Sequence, residues 1–212
     1  MSKVSILRSL IPALMTVGAV ACNTAPTPGL ARGEALWDTC VPCHGPDGAG
    51  NQKLAAPAIA GMDQWYVEAQ LGKFQAGHRG YHHEDAPGLR MRPMSRSLML
   101  EGDVASIAEY VSKMPKVSPE HTIAGDAAAG QASFAVCAAC HGQKAEGNQA
   151  MNAPALNDKS DWYLVTQLHN FKHGLRGAHP GDTTGATMRP MAATLADDAA
   201  IQNVVTYIGT LK

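Results

Sequence analysis

Cys40, Cys43 and His44 recur as Cys137, Cys140 and His141, and each pair lies 97 residues apart. The same offset carries Pro57 to Pro154, Trp65-Tyr66 to Trp162-Tyr163, Gln70-Leu71 to Gln167-Leu168, Phe74 to Phe171 and Tyr110 to Tyr207. Met91-Arg92-Pro93-Met94 returns as Met188 to Met191 without a gap. The chain is therefore a tandem duplication of a unit of roughly 80–90 residues, and whatever it folds into must be complete at that size and then be repeated. The units read as 31–115 and 130–212. Between them, 116–129 is a linker in which Pro, Gly, Ser and small residues cluster without an apolar period.

Each unit predicts about three main helices with long loops. The first runs from about Gly33 to Cys43, or Gly130 to Cys140. The second covers Asp63 to Ala76 and Ser160 to His173, with Trp65, Leu71 and Phe74 at helical spacing and a glycine, Gly77 or Gly174, at its end. The third starts near Gly102 or Asp197 and puts Val104, Ile107, Ala108 and Val111 on one face. Nothing alternates like a strand, so the fold class is all-α, twice. Apolar residues make up 45% of the chain but aromatics only 5%. Something other than aromatic side chains must occupy the centres of two small cores. The formal charge of −1 excludes the polycation of a nucleic-acid binder.

Residues 1–22 read as a signal peptide. Lys3 and Arg8 precede an uncharged run from Leu10 to Val20 that is too short to span a membrane comfortably. Ala19-Val20-Ala21-Cys22 resembles a bacterial lipoprotein box, with Ala19 in the place usually held by Leu. Cys22 would then be lipidated and 23–30 would be a tether; the alternative is plain secretion.

Cys-x-x-Cys-His is the attachment signature of c-type haem. Two thiols add to the porphyrin vinyls, and the histidine supplies an axial nitrogen. It occurs as Cys40-Val-Pro-Cys43-His44 and Cys137-Ala-Ala-Cys140-His141, which implies two covalent haem c groups. A zinc site built from both cysteine pairs would leave the histidines without a role. Two macrocycles also account for the shortage of aromatics. The second axial ligand is expected downstream, and methionine suits it because a thioether favours ferrous iron and raises the potential. Met91 or Met94, and Met188 or Met191, stand in that region.

These residues, with the Pro57-Ala-Ile-Ala-Gly61 loop and the Tyr66-x-x-x-Gln70-Leu71 helix, resemble the dihaem class I cytochromes c of the cytochrome c4 type. The resemblance spans 31–212. It implies that the first methionine of the element is the ligand, with a Leu seven residues on opening the last helix. Leu98 and Leu195 stand at that distance, which selects Met91 and Met188 and leaves Met94 and Met191 to pack against the haem. The resemblance further implies a periplasmic carrier between a quinol-oxidising complex and a terminal oxidase. The Trp-Tyr pair and the Gly-x-Arg-Gly element also look like dihaem domains that accompany haem-copper oxidases.

Arg79 and Arg176 are candidate propionate contacts because a guanidinium can fork onto a carboxylate. Trp65 and Trp162 are expected to wall the haem, and their indole N–H groups could also reach a propionate. His82 and His179 also repeat, which keeps bis-His ligation as an alternative. His/Met ligation on both irons leaves no open position, so the chain reads as an electron carrier or redox subunit with no catalytic residues. The alternative is a dihaem enzyme such as a peroxidase or a thiosulfate-oxidising cytochrome.

Overall fold

The computed structural model describes residues 27–211. The leader, Cys22 and the start of the tether lie outside the described residues. The first unit contains α1 (Leu30–Trp37), α2 (Val41–His44), α3 (Gln64–Ala76), α4 (Ala86–Arg96) and α5 (Asp103–Lys113). The second contains α6 (Ala127–His141), α7 (Asp161–Lys172), α8 (Thr183–Ala186), α9 (Met188–Ala193) and α10 (Asp198–Thr210). Among the described residues there is no strand, only the isolated bridges Asn51–Ala56 and Asn148–Ala153 around matching 3-10 turns. No helix of the described residues is long and apolar enough to cross a membrane.

One proline separates the two copies at their start. Pro42 lacks an N–H, and its ring would collide with the carbonyl four residues back, at Asp38. The helix accordingly stops at Trp37 and restarts at Val41. Its counterpart is Ala139, and α6 runs unbroken through Cys137 and Cys140 to His141. It starts at Ala127, three residues ahead of the boundary read from the sequence.

A fourth helical segment per unit, absent from the three-helix expectation, carries the methionines. Pro87, Gly88 and Pro93 make this stretch read as loop. Pro87, however, lies in the first turn, where a missing N–H costs nothing, and the Asp85 carboxylate accepts the Gly88 N–H at 3.1 Å. Asp182 does the same for Gly185 at 3.0 Å. Pro93 is carried inside α4. In the second unit the equivalent Pro190 faces the carbonyl of Ala186, and there the helix is split into α8 and α9.

The first helix of each unit crosses the last at a glycine that cannot carry a side chain. A Cβ on Gly33 would stand 2.1 Å from the Ser106 carbonyl oxygen, and one on Gly130 2.0 Å from that of Asn203. Beside these contacts Trp37 packs on Tyr110 at 6.0 Å and Phe134 on Tyr207 at 5.5 Å between ring centroids. Met62, Ile107 and Val111 are buried in the first core, and Leu164, Ile201 and Val205 in the second. The linker is tied to the second unit. The buried Asp161 carboxylate accepts the N–H of Ile123 at 2.6 Å and that of Thr122, and also the N–H of Trp162 at 2.6 Å.

Candidate functional site

An apolar cavity in the first unit is lined by Cys40, Cys43 and His44 together with Met91 and Met94. Cys40, Cys43, Cys137 and Cys140 form no disulfide. Burial, with Cys43 alongside, pushes the Cys40 thiol up to about 11, and burial raises Cys137 as well. Both therefore stay protonated near neutrality, the form that adds across a vinyl group. The histidines are only 7% and 5% exposed. His44 Nδ1 donates to the Pro57 carbonyl at 2.9 Å, and His141 Nδ1 to that of Pro154 at 2.7 Å. Each ring is thereby fixed in one tautomer, with the Nε2 lone pair free for a metal. Burial holds both imidazoles below the ordinary histidine range, against the opposing pull of those bonds, so they are neutral and able to ligate.

The cavity wall is not built by one unit alone. Trp162, Tyr163, Thr166 and Gln167, all on α7, line the cavity of the first unit. At this junction the two candidate arginines meet. Arg79 donates to Gln70 Oε1 (2.9 Å), and across the junction to the Tyr163 hydroxyl (2.8 Å) and Gln167 Oε1 (3.2 Å). Arg176 mirrors it, donating to Gln167 Oε1 (2.8 Å), Gln70 Oε1 (2.9 Å) and the Tyr66 hydroxyl (3.3 Å). Each guanidinium also lies 4.6 Å over a ring, Phe74 or Phe171. Burial would raise the Tyr66 phenol, but Arg176 and Arg79 outweigh it and draw it below the usual range.

Both arginines are buried, at 7% and 6% exposure, and every acceptor named here is neutral. Their Nε atoms have no partner. The buried Asp182 carboxylate supports Arg176, but no acceptor bonded to either guanidinium carries a charge, so cationic N–H groups at this junction fit a ligand that brings carboxylates. Haem brings propionates. Apolar walls, paired thiols, a neutral oriented imidazole and unpartnered cationic N–H groups together fit haem c.

The comparison with known proteins decides the family. The Cytochrome c family profile matches residues 30–115 and again 127–212. The chain belongs to the cytochrome c family, twice over. As a protein with two such domains, this cytochrome carries two covalently bound haem c groups. It is similar to the Cbb3-type cytochrome c oxidase subunit FixP of Bradyrhizobium diazoefficiens, with 31% identity over 175 residues, 76% of this chain and 58% of that one. It thus spans little more than half of that oxidase subunit. It is also similar to the thiosulfate dehydrogenase electron acceptor of Thiomonas intermedia, 30% identical over 82% of each chain. Among solved structures it resembles reduced cytochrome c4 from Pseudomonas stutzeri, with TM-score 0.69 and 26% identity, covering 88% of this chain and all of that one. The tandem all-α architecture and the resemblance to cytochrome c4 are thereby borne out.

The remaining candidates are placed as follows. Met91 and Met188 are half-buried, whereas Met94 and Met191 are 41% and 40% exposed. Trp65 packs edge-on against Tyr66 at 5.6 Å, and Trp162 against Tyr163 at 6.1 Å. His82 and His179 sit in loop turns, their Nδ1 atoms accepting the N–H of Glu84 (3.3 Å) and Gly181 (3.0 Å). His179 stacks on His78 across the junction at 4.8 Å. The crossed glutamines and tyrosines were not singled out as site residues, although their 97-residue recurrence was visible. A repeat does not reveal that its two copies exchange partners.

Proposed function

We propose that this cytochrome is an exported periplasmic electron carrier in which His44 and Met91 hold one iron and His141 and Met188 the other. The observation that carries this reading is the matched pair of neutral, buried histidines, each fixed through Nδ1 on a proline carbonyl and followed by a half-buried methionine. Haem c, when bound, supplies a one-electron ferric/ferrous couple at each position. The chain supplies everything around it. The two cysteine thiols and an oriented imidazole would hold the group, apolar residues exclude water, and a methionine thioether would favour its ferrous state. Arg79 and Arg176, with Trp65 and Trp162 as further candidate contacts, would neutralise and orient the propionates. Held by His44 and Met91, or by His141 and Met188, each iron would have no position left for a substrate.

Transfer from a quinol-oxidising complex to a terminal oxidase is supported by the similarity to an oxidase subunit. A second donor class is favoured by a specific observation: the likeness to an electron acceptor of thiosulfate dehydrogenase extends over 82% of both chains. In that case electrons would arrive from a sulfur-oxidising enzyme. A dihaem enzyme is the competing class and requires one open coordination position. Residues 31–115 and 130–212 act as the two haem-binding units on either side of the linker 116–129, behind a leader, 1–22, and a tether, 23–30. Lipidation at Cys22 would anchor the protein to the membrane, and an intact mass without acyl addition contradicts that anchor.

The test is a methionine series read at the near-infrared edge, where a sulfur-to-iron band reports Met ligation. Met91→Ala and Met188→Ala should each remove the band of one haem and lower its potential, leaving the other unchanged. Met94→Ala and Met191→Ala should retain both bands. If only His82→Ala or His179→Ala alters ligation, the haems are bis-His and the assignment fails.

A further inference from the structure

In the loop 57–61 of the first unit, every N–H but one is met within that unit. Ile59 and Ala60 donate to the Gly48 carbonyl (2.9 and 3.3 Å) and Gly61 to that of Val111 (2.9 Å), while a proline at 57 has no N–H. Ala58 is the exception. It is 3% exposed, and its N–H crosses to the second unit, where the Ser160 hydroxyl oxygen accepts it at 3.4 Å. Ser160 is itself 3% exposed. It stands at the N-cap of α7, where a serine ordinarily accepts an N–H of its own helix, yet its side chain makes no such bond. The hydroxyl serves the other unit instead.

The peptide to which this N–H belongs is the one that fixes the haem ligand. Its carbonyl is that of Pro57, the acceptor of His44 Nδ1–H at 2.9 Å. One amide therefore accepts from the ligand ring at one end and donates to Ser160 at the other. The second unit supplies the comparison within the same molecule. His141 donates to the Pro154 carbonyl at 2.7 Å, and Leu156 and Asn157 donate to the Ala145 carbonyl (2.8 and 3.4 Å) as Ile59 and Ala60 do to Gly48. In both units a glycine lets another stretch of backbone press on this amide. A Cβ on Gly50 would stand 2.6 Å from the Ala58 nitrogen, and one on Gly147 2.5 Å from that of Ala155. The last link alone differs. Asp63, which is exposed, occupies the place of Ser160, and among the described residues no protein group accepts the Ala155 N–H.

We propose that Ser160, a residue of the second unit, is a positioning residue for the first haem: through the Pro57–Ala58 peptide it strengthens the hydrogen bond of His44 and so raises the donor strength of that imidazole towards iron. The inference rests on His44 as an axial ligand, as in the carrier reading, and adds that the second unit tunes the first haem. Consecutive hydrogen bonds polarise one another, so an amide whose N–H is bonded accepts more strongly at its carbonyl. A stronger acceptor at Nδ1–H makes the ring a stronger base at Nε2, which favours ferric over ferrous iron and lowers the potential. Nothing equivalent acts on His141. Removal of the hydroxyl should therefore raise the potential of the first haem alone.

The test compares Ser160→Ala and Ser160→Thr with the parent, each as isotope-labelled, full-length holoprotein. In the ferrous state, NMR reads the Nδ1–H signals of His44 and His141 side by side, together with amide exchange at Ala58. Each haem is then titrated with its own resonances as reporter. In Ser160→Ala the His44 signal should move upfield, the Ala58 amide should exchange about fivefold faster, and the first potential should rise. His141 and its haem should keep the parent values. Ser160→Thr, which retains the hydroxyl, should leave His44 and the first potential close to the parent. An unmoved His44 signal and an unmoved first potential in Ser160→Ala overturn the proposal. So do equal shifts at both haems, which mark a general loosening, and equal shifts in both variants, which mark volume instead of the hydroxyl. Failure of the ligand assignment looks different: in the parent itself, the His44 ring protons would lack the large upfield shift of a group held over a haem face.

Discussion

Alanine at Gly130 and alanine at Gly72 should have opposite effects, although both glycines lie inside helices. Gly130 sits where α6 meets α10. A Cβ there would be 2.0 Å from the Asn203 carbonyl oxygen and 2.9 Å from the Tyr207 Cβ. Both are rigid neighbours, so the helices must separate by more than an ångström to reach ordinary contact. Overpacking of this kind costs about 1–3 kcal/mol, partly offset by the gain of about 1 kcal/mol that alanine brings to a helix interior. Because the shift disturbs the whole crossing, a net loss of about 1–2 kcal/mol is expected. At Gly72 on α3 nothing lies within 4 Å of the added Cβ, so only the propensity gain of about 0.5–1 kcal/mol remains. Thermal unfolding of the holoprotein, followed by helical circular dichroism, reads both. For a unit of this size each kcal/mol moves the midpoint by about 4–8 °C, downward for Gly130→Ala and upward for Gly72→Ala. Equal shifts of the same sign would refute the claim that the crossing depends on an absent side chain.

Replacing Asp161 by Ala removes the acceptor of the Thr122, Ile123 and Trp162 N–H groups. It should cost about 2–4 kcal/mol and expose the linker to limited proteolysis, read by the masses of the two halves. Arg176→Met strips buried donors from Gln70, Gln167 and Tyr66. Arg79 still donates to both glutamines, so the substitution should cost about 1–3 kcal/mol and alter the redox titration of at least one haem. The Arg32 hydrogen bond holds the Asp103 carboxyl below its ordinary range. Since its folded value lies below its unfolded one, its contribution is present above the unfolded pKa and is lost as pH falls through the folded one. The stability gap between wild type and Asp103→Asn should therefore close on acidification, as measured by urea unfolding across acid pH.

The sequence carried the architecture because both devices that define it are local. The haem signature occupies five consecutive residues, and the 97-residue offset is read by eye. The helix bearing Met91 escaped because Pro87 and Pro93 signal loop in isolation, and only the Asp85 cap makes a helix start there. The linker boundary shifted for a related reason. Small residues from Ala127 onward look like linker until the Asp126 carboxylate accepts the N–H groups of Ala128 and Ala129 and begins a helix. Least legible was the junction. The recurrence of Arg79, Gln70 and Tyr66 in the second unit was visible, but which copy pairs with which depends on how the units meet. That arrangement is written in no short segment of the chain.

The most direct test of the central claim is the optical spectrum of the intact protein in both oxidation states at neutral pH, before and after exposure to carbon monoxide. Two His/Met haems predict fully low-spin iron, a near-infrared-edge sulfur band of two-haem intensity and a ferrous spectrum that carbon monoxide leaves unchanged. High-spin signal at either haem, or carbon monoxide binding to one of them, would reveal an open coordination position and contradict the carrier account.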